Sequence, residues 1–213
     1  MLAVYLPAAV TIAGTAAQRG KLMDKFFANL WLVLAIGFGV ALVLMALPEF
    51  TNAPGAQNGL ATAAFQWLHV FFGVLWIGLL YYFNFVQVPA MPGIAAEHKP
   101  GVTKHIAPRA LFYFRWAALL TVITGAILAH LYGELEEALS LQESHRLIGI
   151  GMWLALIMAA NVWFIIWPNQ KKVLGLVEAD DAAKARAGKA ALIASRTNLL
   201  LSVPMLLAMT TFR

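Results

Sequence analysis

Apolar residues in this chain fall in long uninterrupted blocks. They do not follow the alternation of a half-buried strand or the three-to-four rhythm of an amphipathic helix. Four blocks stand out, at residues 26–47, 63–86, 116–132 and 147–167. Crossing a hydrocarbon core of about 30 Å takes about 20 mostly apolar residues. A fifth block, 199–212, is short unless residues 193–198 lengthen it. Residues 1–17 are also apolar but are interrupted by Pro7 and Gly14. No charged stretch precedes them, which makes a cleaved signal peptide a poor reading. They form either a short first span or a segment lying in the interface. The pattern predicts an all-α, polytopic transmembrane helical bundle of about five spans plus a possible N-terminal apolar segment. It is read as a single integral membrane domain over residues 1–213, with 1–25 as an apolar segment and basic turn and 26–213 as the bundle.

The connections carry the remaining structure. Residues 48–62, with Pro54, Gly55 and Gly59, have turn chemistry. Residues 133–143 set Leu135, Leu139 and Leu141 among glutamates, as an interfacial helix would. Residues 175–196 are rich in alanine and alternating charge, a good helix former. They either lie on the membrane surface or extend the last span.

Composition agrees with a membrane setting. The chain is 62% hydrophobic and 12% charged, about half the charge of an ordinary soluble domain. Cysteine is absent, which excludes disulfides, thiolate metal sites and cysteine-attached haem. The net charge of +5 has a topological cause. Arg19, Lys21 and Lys25 precede the first block; Lys99, Lys104, Arg109 and Arg115 lie between the second and third. Lys171, Lys172, Lys184, Arg186, Lys189 and Arg196 lie between the fourth and fifth. The alternate connections carry Glu49, then Glu134, Glu136, Glu137 and Glu143, with Arg146 as their one basic residue. Lys and Arg are retained on the cytoplasmic side, so the basic loops are expected inside. A nucleic-acid partner is unnecessary.

Ionisable side chains within spans are functional candidates by default. His69, His130 and His145 fall near the outer ends of three different spans, whereas His98 and His105 belong to the inner loop. Gly73 follows His69 by one turn, and Gly149 follows His145 by one turn. A porphyrin held by imidazole lies against its helix, and a missing side chain there makes room for it. Neutral imidazole is a good haem-iron ligand. The pattern therefore points to haem b near the outer face, with His69 and His145 on the iron and His130 as the alternative second ligand. Trp76 and Trp153 lie near mid-span, where either could line such a pocket. A plainer reading stands beside this one: the glycines allow close helix packing, and His130 and His145 bond to water or head groups. Asn84, Asn161 and Asn198 read as amides bridging helices, and Arg115 as a snorkelling cation. Metalloprotease, serine-hydrolase, phosphate-loop and dinucleotide motifs are absent from the sequence.

Several motifs resemble a known family. They are Trp67-Leu68-His69 through Gly73, Trp76-Ile77-Gly78 and Tyr81-Tyr82-Phe83; then Asn161-Val162-Trp163-Phe164-Ile165-Ile166-Trp167-Pro168-Asn169-Gln170-Lys171-Lys172; then Arg196-Thr197-Asn198 with Ser202, Pro204 and Met205. Together they are similar to the bacterial membrane-bound urate hydroxylases, the urate oxidase N-terminal membrane domain, over roughly residues 63–210. The resemblance implies a multi-pass protein of the bacterial inner membrane, and electrons passing from urate to a cytochrome c domain. Here it implies a stand-alone form without that domain. Residues 111–117 and Thr197 differ from the family pattern, and of its histidines only His69 is matched. Three expectations follow: a haem b electron-transfer protein serving a separate carrier such as a c-type cytochrome, a urate hydroxylase using an external cytochrome, or a non-redox accessory subunit of a membrane complex. All three place the chain in a lipid bilayer, and an oligomer is compatible with each.

Overall fold

The computed structural model describes residues 27–45 and 59–211. The expectations for residues 1–17 and for most of the 48–62 turn lie outside them. The chain divides into two compact units, Met1–Pro54 and Gly55–Arg213. In the first, α1 (Leu30–Met45) is a 16-residue apolar helix, roughly 24 Å long. Asn29 accepts the Leu32 amide at 3.2 Å near its start, the usual service of an Asn side chain at a helix N-terminus.

The second unit holds four helices long and apolar enough to cross a membrane: α2 (Gly59–Gly93), α3 (Lys99–Leu131), α5 (Glu143–Val173) and α6 (Asp181–Thr211). At 31 to 35 residues each, they run roughly 47–53 Å, well beyond the hydrocarbon thickness. Their ends therefore project past it, and this is where the sequence reading needs correction. The segment carrying Lys99, Lys104, Arg109 and Arg115, read as a loop, is the first half of α3. For residues 175–196, the second of the two alternatives holds: from Asp181 they extend the last span as the first half of α6. Long helices with one polar end satisfy their own backbone bonds throughout, which a lipid-exposed loop would not. The glutamate-bearing connection contains a short helix, α4 (Leu135–Leu139). Four spans plus one shorter apolar helix thus stand among the described residues.

The bundle is apolar outside as well as inside. Phe164 (79% exposed), Leu200 (71%) and Val74 (68%) point away from it, as lipid contact requires. Inside, α2 packs chiefly on α3 and α5 on α6. Alanines make the crossings close: Ala117, Ala118, Ala155, Ala159 and Ala194 sit in the core with Trp76, Leu80, Phe114 and Met158. Lipid tails are as apolar as leucine, so small residues and interhelical hydrogen bonds hold such helices together. Gly151 shows how close they come, since a Cβ there would lie 3.1 Å from that of Ala208.

Three of the four long helices contain a π turn: Tyr82–Gln87 in α2, Val102–Ile106 in α3 and Asn161–Ile166 in α5. Such turns are costly and collect at functional positions.

Candidate functional site

Among the described residues, His69 is the histidine whose ring hydrogen-bonds from one long helix to another. From α2 its Nδ1–H donates to the Thr121 carbonyl of α3 at 2.9 Å. A carbonyl only accepts, so the proton sits on Nδ1 and the Nε2 lone pair is left available, the state a metal ligand needs. The imidazole occupies a notch created by Gly125, where a Cβ would lie 2.6 Å from His69 Cε1 and 2.9 Å from Nδ1. The glycine that receives this histidine is thus on the neighbouring helix. Gly73, one turn along α2, faces Thr121, with ordinary van der Waals contact at 3.9 Å for a Cβ placed there.

The other two candidates sit elsewhere. His130 is exposed at the last turn of α3. His145 ends the short 3-10 turn that opens α5. Its Nδ1 lies 2.9 Å from Glu137 and 2.8 Å from the Ser144 hydroxyl, and its Nε2 lies 3.8 Å from Glu134. Gly149 is filled from α4, and a Cβ there would run into the Ala138 carbonyl oxygen. Trp153 donates from α5 to the Leu139 carbonyl at 3.0 Å. Gly149 and Trp153 thus dock the short helix.

Three or more His, Cys, Asp or Glu side chains nowhere gather into a metal-holding group among the described residues. The space beside Gly125 and Gly149 holds protein atoms, and His145 is engaged by carboxylates. His69 is the candidate whose ring is oriented from one long helix by another.

Deeper in the bundle, a seam of amides and hydroxyls joins α2, α5 and α6. Asn161 Nδ2 donates to Asn198 Oδ1 at 2.9 Å, and Asn198 Nδ2 donates to the Met158 carbonyl at 2.9 Å. Asn84 Nδ2 donates to the Leu80 carbonyl at 2.8 Å and to Ser195 Oγ at 2.9 Å. Tyr81 and Ser202 share a hydroxyl–hydroxyl bond at 3.1 Å. The expectation that the three asparagines bridge helices agrees with this geometry. The π turns explain their positions. Leu80 and Met158 lie just before the π turns of α2 and α5, and a neighbouring amide reaches each carbonyl. In α3, Thr103 Oγ1 does the same for Lys99 at 3.2 Å.

Some polar atoms have no such partner. Trp76 is fully buried and Asn84 nearly so, yet Trp76 Nε1, Asn84 Oδ1 and Gln87 Oε1 make no hydrogen bond among the described residues. An orphaned buried polar group costs about 1–3 kcal/mol, so each invites a water or a ligand. Trp76, anticipated as a pocket liner, contributes one of the three. Sequence reasoning missed Gln87 and the serines of α6. The spacing of Tyr81, Asn84 and Gln87 along one helix was the available signal.

Arg115 lies at the same general region of α3. Its guanidinium stacks on Trp167 of α5, 3.8 Å from the ring centroid. The Arg115 carbonyl accepts from Trp163 Nε1 at 3.1 Å. The side chain read as snorkelling alone is therefore held by an aromatic ring as well.

Residues 137–212 match the family described as urate oxidase N-terminal. The match spans the end of α4, α5 and α6, so the similarity to that family covers the second half of the bundle. No match is found among curated proteins or among solved structures.

Proposed function

We propose, with the similarity of residues 137–212 to the urate oxidase N-terminal family as the premise, that this membrane protein is a urate-type oxidoreductase module whose electrons leave to a separate carrier. The observation that carries the reading is the unpartnered polarity of the interior: the Trp76 N–H donor and the Asn84 and Gln87 carbonyl acceptors. Urate is a rigid plane edged by alternating N–H donors and carbonyl acceptors. Amide and indole groups match it in kind, and a water-poor surrounding strengthens each hydrogen bond. Asn84 and Trp76 bind and orient the ligand, and the Asn161–Asn198 pair keeps α5 and α6 in register behind it. Electrons pass to a c-type cytochrome, for which Glu134, Glu136, Glu137 and Glu143 supply an acidic surface that speeds encounter with a basic partner. The basic helix ends face the cytoplasm of a bacterial inner membrane.

The test uses the full chain in lipid nanodiscs with urate and oxidised cytochrome c, following cytochrome reduction. Reduction that requires both urate and the protein, and that falls in Asn84→Ala, is expected. No reduction by colourless protein overturns the reading; if that protein also co-purifies with other membrane subunits, an accessory role replaces it.

Haem b remains a second reading, favoured by the oriented Nε2 of His69 alone. A Soret band lost in His69→Ala but retained in His98→Ala establishes it, and a colourless preparation removes it. Orientation is checked separately. The chain lacks cysteine, so Glu136→Cys and Lys184→Cys each give one thiol, and an impermeant maleimide applied from outside is expected to label only the first.

A further inference from the structure

At the basic end of the bundle, apart from the seam and from His69, a groove of about 860 Å³ opens between α2 and α3. Two π turns frame it: Tyr82 begins that of α2, and Lys104, His105 and Ile106 belong to that of α3. Lys104, His105 and Arg109 give it a cationic lining, with Leu79 and Ile106 as an apolar wall.

Three observations point to the class of ligand it suits. No carboxylate lines the groove, and neither Lys104 nor Arg109 takes part in any ion pair among the described residues. Two permanent cations at one site without a counter-ion call for an anion. The apolar wall adjoins them directly, so the ligand that satisfies both is amphipathic, which a free phosphate is not. Finally, the groove lies near the start of α3, where the chain leaves the hydrocarbon. Lys99 opens this helix, and helix ends rich in Lys and Arg are those that meet the head groups when the apolar part spans the bilayer.

We propose that this groove binds an anionic phospholipid, its phosphate held by Lys104 and Arg109 and an acyl chain lying against Leu79 and Ile106. The basic pocket between membrane helices then selects the lipid by charge. His105 adds a ring N–H and Tyr82 a phenol hydroxyl for the remaining phosphate or glycerol oxygens. The proposal is independent of the urate reading, since neither groove cation belongs to the seam.

The test is native mass spectrometry of the delipidated full chain, mixed with equal amounts of phosphatidylglycerol and phosphatidylcholine. Preferential retention of phosphatidylglycerol is expected. The double variant Lys104→Gln/Arg109→Gln is expected to lower that preference about 30-fold, from about fivefold per cation near an anionic membrane surface. Lys189→Gln, an exposed cation of α6, leaves it unchanged. Equal retention of the two lipids, or a double variant that retains phosphatidylglycerol like the parent, overturns the proposal. It is also overturned if inorganic phosphate competes as well as the lipid, because the site then takes free anions. Should the double variant not fold, Arg109→Gln alone, at an exposed side chain, is expected to give about a fivefold loss, and its failure to do so counts equally against the site.

Discussion

Gly125→Ala probes the contact between α2 and α3 most directly. The new Cβ would stand 2.6 Å from His69 Cε1 and 2.9 Å from Nδ1, closer than van der Waals contact allows. The imidazole must move, and its bond to the Thr121 carbonyl, now 2.9 Å, is lost with it. Overpacking of this kind costs about 1–3 kcal/mol. An interhelical hydrogen bond in a membrane adds about 0.6–1.7 kcal/mol. The expected destabilisation is therefore about 2–5 kcal/mol. Gly73→Ala is the control on α2, because its Cβ meets Thr121 Cγ2 at an ordinary 3.9 Å; a change within about 0.5 kcal/mol is expected.

The same geometry predicts non-additivity. His69→Ala removes the ring, so the Gly125→Ala methyl then enters vacated space and costs under about 0.5 kcal/mol. The two changes should couple by about 2–3 kcal/mol, near the upper end for contacting residues. Reversible unfolding in mixed micelles, followed by tryptophan fluorescence on the four proteins of the cycle, measures this. If Gly125→Ala costs the same with and without His69, the imidazole does not occupy the notch and the packing account fails.

Gly149→Ala drives a Cβ into the Ala138 carbonyl and should cost about 3 kcal/mol; hydrogen exchange should rise across residues 134–145, and unchanged protection there would mean α4 docks by other contacts. Asn198→Ala strips partners from Asn161 and from the Met158 carbonyl at an expected cost of about 1–3 kcal/mol. Combined with Asn161→Ala, it should fall short of the sum by about 0.6–1.7 kcal/mol, and strict additivity would show that the amides do not act as a pair. Arg115→Gln removes the stack on Trp167 and should cost about 1 kcal/mol in the same unfolding assay, where parental stability would mean the guanidinium is solvated.

The spans were legible because block hydrophobicity is a property of composition, and the described residues of the four blocks at 26–47, 63–86, 116–132 and 147–167 fall almost entirely on helices. Helix ends were legible only in part, since extension of the last span was one of two alternatives and that of α3 was read as a loop. Charged residues such as Lys104 and Lys184 interrupt hydropathy without interrupting a helix, so α3 and α6 each extend far beyond their apolar halves. The bridging amides could be anticipated from their depth. The role of the glycines could not, because i and i+4 spacing relates residues on one helix, whereas Gly125 and Gly149 are occupied from another element. His69 paired with Gly125, and Gly149 with Ala138, are separations in space that no local pattern carries. The π turns were equally hidden, since an extra residue per turn leaves no compositional mark.

Those π turns bear on function through what their neighbours leave unsatisfied. A bundle required only to pack could line its interior with alanine, as α3 and α5 do at Ala117, Ala118, Ala155 and Ala159. Leu80 and Met158, beside two of the π turns, instead accept from Asn84 and Asn198, and Thr103 serves Lys99 in the third. Repair of helix irregularity accounts for those donors. It does not account for Trp76 Nε1, Asn84 Oδ1 or Gln87 Oε1, which serve no carbonyl or amide among the described residues. All three lie on α2, and α6, which carries the Asn198 and Ser202 partners, falls within the family match. Polarity beyond what folding uses is therefore carried by α2, which is why the proposed ligand of alternating donors and acceptors is sought along that helix rather than at the outer histidines.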